Sequence, residues 1–289
     1  MNAMHNGVPA TVSVIGGGRM GAGIAHVFAV AGARVTIVET DPAAAEAALR
    51  RVEAGLHRAA ERDALAESPE RVSARMATVC SIAELPADSE LVVEAVPEII
   101  SAKLDVLVAA ERVVAPTAVL ASNTSSLPIA ELAAALRHPA RVIGMHFFNP
   151  VPVAELVELV RAPETADEVV QTALSWVRAL GKSHVVVRDS PGFATSRLGV
   201  ALGLEAIRML EDGVADAESI DRAMELGYRH PMGPLRSTDL VGLDVRLAIA
   251  EHLYATLGPR FEPPQLLRDK VAVGELGRKT GRGFHRWPS

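Results

Sequence analysis

The sequence predicts an α/β protein in two parts: a doubly wound N-terminal domain over residues 1–188 and an all-helical C-terminal domain over residues 189–289. Three observations carry that expectation. Short apolar runs alternate with helical stretches through the first half, and a glycine turn of defined spacing joins the first run to the first helix. Beyond residue 189 the alternation stops and only helical patterns follow.

Thr11–Ile15 reads as the first strand. The turn Gly16-x-Gly18-x-x-Gly21 leads into a helical segment, and a second apolar run, Ala33–Glu39, ends on an acid. In this spacing Gly16 takes the tight turn, Gly18 lets a pyrophosphate approach the backbone, and Gly21 lets the helix lie close on the sheet. N–H groups and the positive end of the helix dipole then face the phosphates, with Met20 in the first turn. Glu39 suits an adenosine ribose 2′-hydroxyl, and a 2′-phosphate would meet Glu39 and Asp41. The expected cofactor is therefore NAD, on a Rossmann-like domain.

Further strand-like runs fall at Ala77–Cys80, Glu90–Glu94, Ala118–Ser122, Arg141–Phe147, Ala154–Val160 and Val185–Val187. Helical stretches at Ala43–Arg62, Ser101–Val114 and Ile129–Arg137 separate most of them, which predicts a parallel sheet. Pro42–Ala74 is longer than one crossover needs and reads as a helical excursion from the sheet. Thr165 and Glu168 read as a capping box, and Asp189-Ser-Pro-Gly192 as the domain boundary. Helices are then expected at Arg197–Leu210, Ala217–Leu226, Asp239–Leu257 and Gln265–Val273.

Composition narrows the function. Hydrophobic residues make up 49% of 289, enough for a sizeable core, and a net charge of −6 without Lys/Arg runs argues against a nucleic-acid partner. Cys80 is the single cysteine, so no intrachain disulfide is possible. The first ten residues are too short and polar for a signal peptide, and no apolar run is long enough to span a membrane. The expectation is a soluble cytoplasmic protein without a membrane partner. No metal-ligand spacing occurs either.

Oxidation of an alcohol needs a base for the hydroxyl proton, and histidine suits neutral pH. His5, His57, His138 and His252 fall on helix or loop positions. His146 differs, because it ends a strand before the loop Phe148-Asn-Pro-Val-Pro152, and ligands of open parallel sheets bind beyond strand carboxyl ends. An orienting carboxylate for it would come from Glu155 or Glu158, and alternation alone does not choose. Ser125 and Ser126 suit either a substrate oxygen or a cap for the helix at Ile129.

Gly144–Leu159 (GMHFFNPVPVAELVEL), Ser122–Leu127 (SNTSSL), Asp189–Phe193 (DSPGF), Val92–Glu98, Gly233–Asp244 and Gly277–Phe284 together resemble the NAD-dependent L-3-hydroxyacyl-CoA dehydrogenase family, in order and over essentially the whole chain. The most similar members are bacterial 3-hydroxybutyryl-CoA dehydrogenases. The resemblance implies a homodimer with a helical dimerisation domain, substrate in the interdomain cleft, and reversible oxidation of an (S)-3-hydroxyacyl-CoA. It implies His146 as catalytic base, Glu158 as its partner, and Ser125 on the substrate oxygen and beside the nicotinamide of the cofactor. Glu39, Glu98, Lys103 and Asn149 would line the cofactor and cleft. Where the family carries an asparagine that helps hold the reacting oxygen, this chain has Ser196, whose hydroxyl reaches less far. Arg58 and Arg62, four residues apart on the expected helix, are candidates for the coenzyme A phosphates. The acyl group stays open: 3-hydroxyadipyl-CoA or a free acid such as L-gulonate would use the same chemistry. A non-catalytic cofactor-binding structural protein is the other class.

Overall fold

The computed structural model describes residues 7–288, so the start of the chain and His5 lie outside the described residues. Contacts divide the chain into two compact units, one ending at Asp189 and the other beginning at Ser190.

The first unit is built on an eight-stranded sheet: β1 (Thr11–Ile15), β2 (Arg34–Val38), β3 (Met76–Val79), β4 (Leu91–Glu94), β5 (Val119–Ser122), β6 (Val142–Phe147), β7 (Leu156–Arg161) and β8 (Ser183–Arg188), in the order β3-β2-β1-β4-β5-β6-β7-β8. Strands β1 to β6 are parallel, and the order reverses between β1 and β4, where open sheets of this kind bind ligands. The wholly parallel expectation fails at the far edge. β7 runs antiparallel to β6, and β8 follows β7. The connection 148–155 contains no helix and is shorter than the dozen or so residues a parallel crossover needs, so the chain returns antiparallel.

Six helices cover this sheet: α1 (Arg19–Val30), α2 (Pro42–Ala60), α3 (Pro69–Ser73), α4 (Ile100–Glu111), α5 (Ile129–Ala134) and α6 (Asp167–Ala179). α2 is no excursion. Asp41 caps it through Ala44 N–H at 2.9 Å, and its apolar face of Ala48, Val52 and Leu56 joins the main core beside Ile24 and Phe28 of α1. It also ends earlier than its composition suggests. Arg62 N–H donates to Ala59 at 3.2 Å and Asp63 turns into the left-handed region at φ 54°, so Arg62 sits in a turn and shares no helix face with Arg58. The capping box at Thr165 is also absent. The Thr165 hydroxyl donates to Val142 O at 2.7 Å, tying the start of α6 to β6.

The second unit holds α7 (Thr195–Glu211), α8 (Ala217–Gly227), α9 (Pro234–Val241), α10 (Leu243–Leu257) and α11 (Gln265–Ala272), and among its described residues no strand of more than an isolated bridge. The helix expected over Asp239–Leu257 is two. Gly242 at φ 104° breaks it, a conformation only glycine takes without strain. The core of this unit joins Val200, Leu204 and Ile207 of α7 to Leu235, Leu243, Ala250 and Leu253.

Candidate active site

The glycine turn leaves β1 at Gly16, whose φ of 94° sends the chain across β4; a Cβ there would lie 2.9 Å from Ala95 O. A Cβ at Gly21 would lie 1.7 Å from Gly16 O, so close packing of turn on helix requires that glycine. A Cβ at Gly18 would meet nothing within 4 Å. Gly18 is also the N-cap of α1 and brings no side-chain cap to the helix start. This is the open, donor-rich end that a pyrophosphate requires. Sequence spacing overlooked Gly17. Its N–H donates to Glu39 Oε1 at 2.6 Å, and a Cβ would collide with Ala48 at 2.4 Å. The turn and the acid that ends β2 are thus one hydrogen-bonded unit. Both edge a pocket of about 690 Å³ whose wall includes Gly16, Gly18, Met20, Glu39, Cys80 and Val96, with Arg19 as its basic side chain. A glycine backbone open to phosphate and a carboxylate open to a ribose hydroxyl fit an NAD-type dinucleotide.

At the carboxyl ends of β4 and β5 lies a buried ionic chain. Lys103 on α4, 1% exposed, donates to Glu94 Oε1 at 2.8 Å and pairs with Glu98 Oε2 at 3.2 Å. Ser122 and Val96 N–H also donate to Glu94. Burial nevertheless outweighs Lys103 and these bonds and pushes the Glu94 carboxyl up. Burial acts the same way on Glu98. There Lys103, the Thr124 hydroxyl and the Ser125 N–H prevail and hold the carboxyl below its ordinary value. Glu98 Oε1 accepts from Thr124 Oγ1 (2.6 Å), Ser125 N–H (2.9 Å) and Ser125 Oγ (3.2 Å). The loop that carries Ser125 is therefore fixed from Glu98. α5 has Pro128 as N-cap and no side-chain cap, so Ser125 and Ser126 do not cap it. Glu94 and Thr124 escaped the sequence reading. An acid closing an otherwise apolar, buried strand was the available signal for Glu94.

His146 stands near the end of β6, and the β6–β7 register sets it directly opposite Glu158. Its Nδ1 lies 3.0 Å from Glu158 Oε2, with Glu158 fully buried and His146 8% exposed. Phe148 lies tilted against the imidazole, ring centroids 4.5 Å apart, and Asn123 Oδ1 accepts from Phe147 N–H at 2.9 Å. The loop that follows is held by Lys182, which donates to Val151 O and Ala154 O at 2.8 and 2.6 Å. Glu155, the competing carboxylate, precedes β7 and takes no part in this pairing.

Asn149 is not on the pocket of the glycine turn. It edges a second cavity of about 380 Å³ together with Arg19, His26, Arg51, Arg58 and the Pro150–Pro152 loop. Arg58 reaches this cavity; Arg62 does not line it. Ser196 belongs to the second unit, half-buried in the first turn of α7. Among the described residues no cluster of metal-ligating side chains occurs, and no helix is long and apolar enough to cross a membrane.

Both parts of the chain match models of one family. Residues 11–190 match the 3-hydroxyacyl-CoA dehydrogenase NAD binding domain, and residues 192–287 match the C-terminal domain of the same family. A probable 3-hydroxybutyryl-CoA dehydrogenase of Bacillus subtilis is 42% identical over 95% of this chain and 96% of its own length. A 3-hydroxybutyryl-CoA dehydrogenase of Mycobacterium tuberculosis is 43% identical over 96% and 98%. The crystal structure of M. tuberculosis FadB2 superposes with a TM-score of 0.93 over 97% of this chain and 100% of that one, at 42% identity. That of (S)-3-hydroxybutyryl-CoA dehydrogenase PaaH1 from Ralstonia eutropha gives 0.91, over 97% and 100%, at 39% identity. With both domain types matched in order along its length, this chain belongs to the 3-hydroxyacyl-CoA dehydrogenase family.

Proposed function

We propose that this protein is an NAD-dependent dehydrogenase that interconverts (S)-3-hydroxyacyl-CoA and 3-ketoacyl-CoA, acting on short acyl chains such as 3-hydroxybutyryl-CoA. The observation that carries the reading is the buried His146–Glu158 pair at the carboxyl end of the sheet. When bound at the glycine turn, NAD supplies the acceptor for the hydride leaving C3. Gly16, Gly18, Met20, Gly21 and Glu39 hold it, with Glu98 and Lys103 fixing the adjoining loop; Asn149 lines the second cavity instead.

The residues of the chain handle the proton. Glu158 accepts from Nδ1–H, which leaves the lone pair of the neutral imidazole at Nε2, the atom that takes the hydroxyl proton. As that proton arrives, the carboxylate compensates the imidazolium in a site where water does not screen it. The Ser125 hydroxyl, which donates to Glu98 in the free site, turns to donate to the reacting oxygen when substrate binds. In the reductive direction protonated His146 returns the proton, so low pH favours the alcohol and high pH the ketone. The coenzyme A phosphates lie over α2, where Arg51 and Arg58 line the second cavity; Arg62, off the helix, has no part in this reading.

The chain acts as a homodimer through its helical unit, which exposes Leu198, Leu226 and Tyr228, each more than two-thirds exposed. A single cysteine, exposed and unpaired at Cys80, suits a reducing cytoplasm. The test is NADH oxidation with acetoacetyl-CoA against a panel of free keto acids. Turnover of the thioester alone is expected; turnover of free acids alone, or of neither, overturns the proposal.

A further inference from the structure

Arg51 of α2 is distant from the glycine turn in sequence, yet its Nη1 donates to Gly17 O at 3.2 Å. The same glycine gives its own N–H to Glu39 Oε1 at 2.6 Å. Both polar backbone atoms of Gly17 are thus held by side chains, a carboxylate from the end of β2 and a guanidinium from α2. Gly17 is buried and lines neither cavity. Arg51 edges the second cavity and is not on the pocket of the glycine turn.

The oxygen that Arg51 holds belongs to a peptide unit shared with the next residue. Gly17 C=O and Gly18 N–H are two ends of one rigid plane, and the bond joining them is trans. In a trans peptide the carbonyl and the N–H point in opposite directions. With the oxygen turned to Arg51, the Gly18 N–H is turned away from it. Gly18 lines the pocket of the turn, a Cβ on it would meet nothing within 4 Å, and among the described residues its N–H has no acceptor. A peptide between two glycines has no side chain to set its orientation. A charge-assisted bond to its carbonyl sets it instead, and polarises the N–H at the other end into a stronger donor.

We propose that Arg51 is a positioning residue for the cofactor, which holds the Gly17–Gly18 peptide from behind and so aims the Gly18 N–H at the pyrophosphate. This deepens the dehydrogenase reading and rests on NAD binding at the glycine turn. Arg51 acts from outside the cofactor pocket, through one peptide plane, and its effect is confined to ligands that carry the phosphates.

The experiment is an NADH fluorescence titration on the wild type, Arg51→Met, Arg51→Lys and Arg58→Met, with ADP-ribose and adenosine as competitors. It is run at about 0.1 M and about 0.5 M NaCl, since added salt screens exposed charges. Arg51 is exposed, so its replacement leaves the core untouched. Arg51→Met should raise the Kd of NADH and of ADP-ribose about tenfold at both salt concentrations. The Kd of adenosine, which lacks the pyrophosphate, should stay unchanged. Arg51→Lys should recover part of the loss. Arg58→Met removes a charge from the second cavity without a bond to Gly17, and should bind NADH as the wild type does.

Wild-type NADH affinity in Arg51→Met overturns this inference and leaves the dehydrogenase reading standing. An equal loss for adenosine also overturns it, because Arg51 would then only prop the turn. A loss that Arg58→Met shares, or that high salt erases, overturns it as a general effect of charge. If the wild type binds no NADH, the dehydrogenase reading falls and this inference with it.

Discussion

Glu158 sits directly across the antiparallel β6–β7 pair from His146, and their side chains meet at 3.0 Å with both residues buried. The backbone ladder, more than any flexible loop, sets this geometry. The imidazole is oriented before substrate arrives, which general base catalysis requires. Replacing His146 with Gln should lower kcat by at least about a hundredfold with little change in NAD affinity. Glu158→Gln keeps the shape but removes the charge that compensates the imidazolium, so kcat should again fall by about a hundredfold or more. Steady-state kinetics in both directions checks both. A Glu158→Gln enzyme with wild-type turnover would show that the pair is only structural.

The second and third glycines of the motif, Gly18 and Gly21, should separate stability from cofactor binding. Gly21→Ala sets a methyl 1.7 Å from the carbonyl oxygen of Gly16, which no side-chain movement relieves. It should destabilise the first unit by at least about 3 kcal/mol. Gly18→Ala meets nothing within 4 Å and its φ of −63° suits any residue. Its stability should stay within about 0.5 kcal/mol of wild type while the Kd for NAD rises about tenfold or more, because the methyl occupies the approach to the backbone. Denaturant melts and NADH fluorescence titration give the two readouts. Unchanged NAD affinity in Gly18→Ala would mean that the pyrophosphate does not pass there.

Much of this site could be read along the chain because each cue was local. A strand, a glycine turn, a helix and Glu39 follow one another within a few dozen residues, and His146 announces itself by ending a strand before a proline-rich loop. What remained hidden depends on register or on contacts distant in sequence. Period-two alternation allowed Glu155 or Glu158, and only the β6–β7 pairing selects Glu158. Ser125 suited a helix cap as well as a site residue, and the hydrogen bond from its hydroxyl to Glu98, from another strand end, decides against the cap. Gly242 lies inside a helical pattern that tolerates glycine, so the break there shows only in its φ.

The glycine-rich end of the chain, obscure as sequence, acquires a physical account from Asp239. This carboxylate, 1% exposed, accepts from Phe284 N–H, His285 N–H and Trp287 Nε1, all at 2.8 Å. Cβ atoms at Gly277 and Gly283 would lie 2.3 Å from Asp239 O and 2.1 Å from Asp239 Oδ1, so the segment wraps the acid only where side chains are missing. His285 also reaches Asp221, which caps the start of α9 through Leu235 and Arg236 N–H. Asp239→Ala leaves three donors unsatisfied and should destabilise the second unit by roughly 3–5 kcal/mol. Trp287 fluorescence should report its release at lower denaturant than in wild type. Melting at the wild-type midpoint would show that the tail is held by packing instead.

His26 sets the acid side of the stability profile. It is 4% exposed, and its Nδ1 has no hydrogen-bond partner. Burial lowers its pKa below the ordinary value of 6.5, with the charges of Arg58 and Lys182 adding to the effect against a bond to Val52 that opposes it. The folded protein therefore holds a neutral imidazole at a pH where the unfolded chain already binds the proton. Stability from this group is full above pH 6.5 and declines as pH falls below it, toward the depressed folded value. The carboxylates of Glu98 and Glu111, held low in the folded state, act in the same direction but lower: their contribution is present above the ordinary 4.5 and lost beneath it. Above 4.5 His26 therefore works against Glu94, whose raised carboxyl takes up its proton earlier in the folded state and adds stability as pH falls. In His26→Leu the loss of Tm between about pH 6.5 and 5 should be smaller than in wild type, measured by thermal melts at closely spaced pH. An identical slope in the two proteins would place the acid sensitivity on another group, since nothing else in the substitution alters proton uptake there.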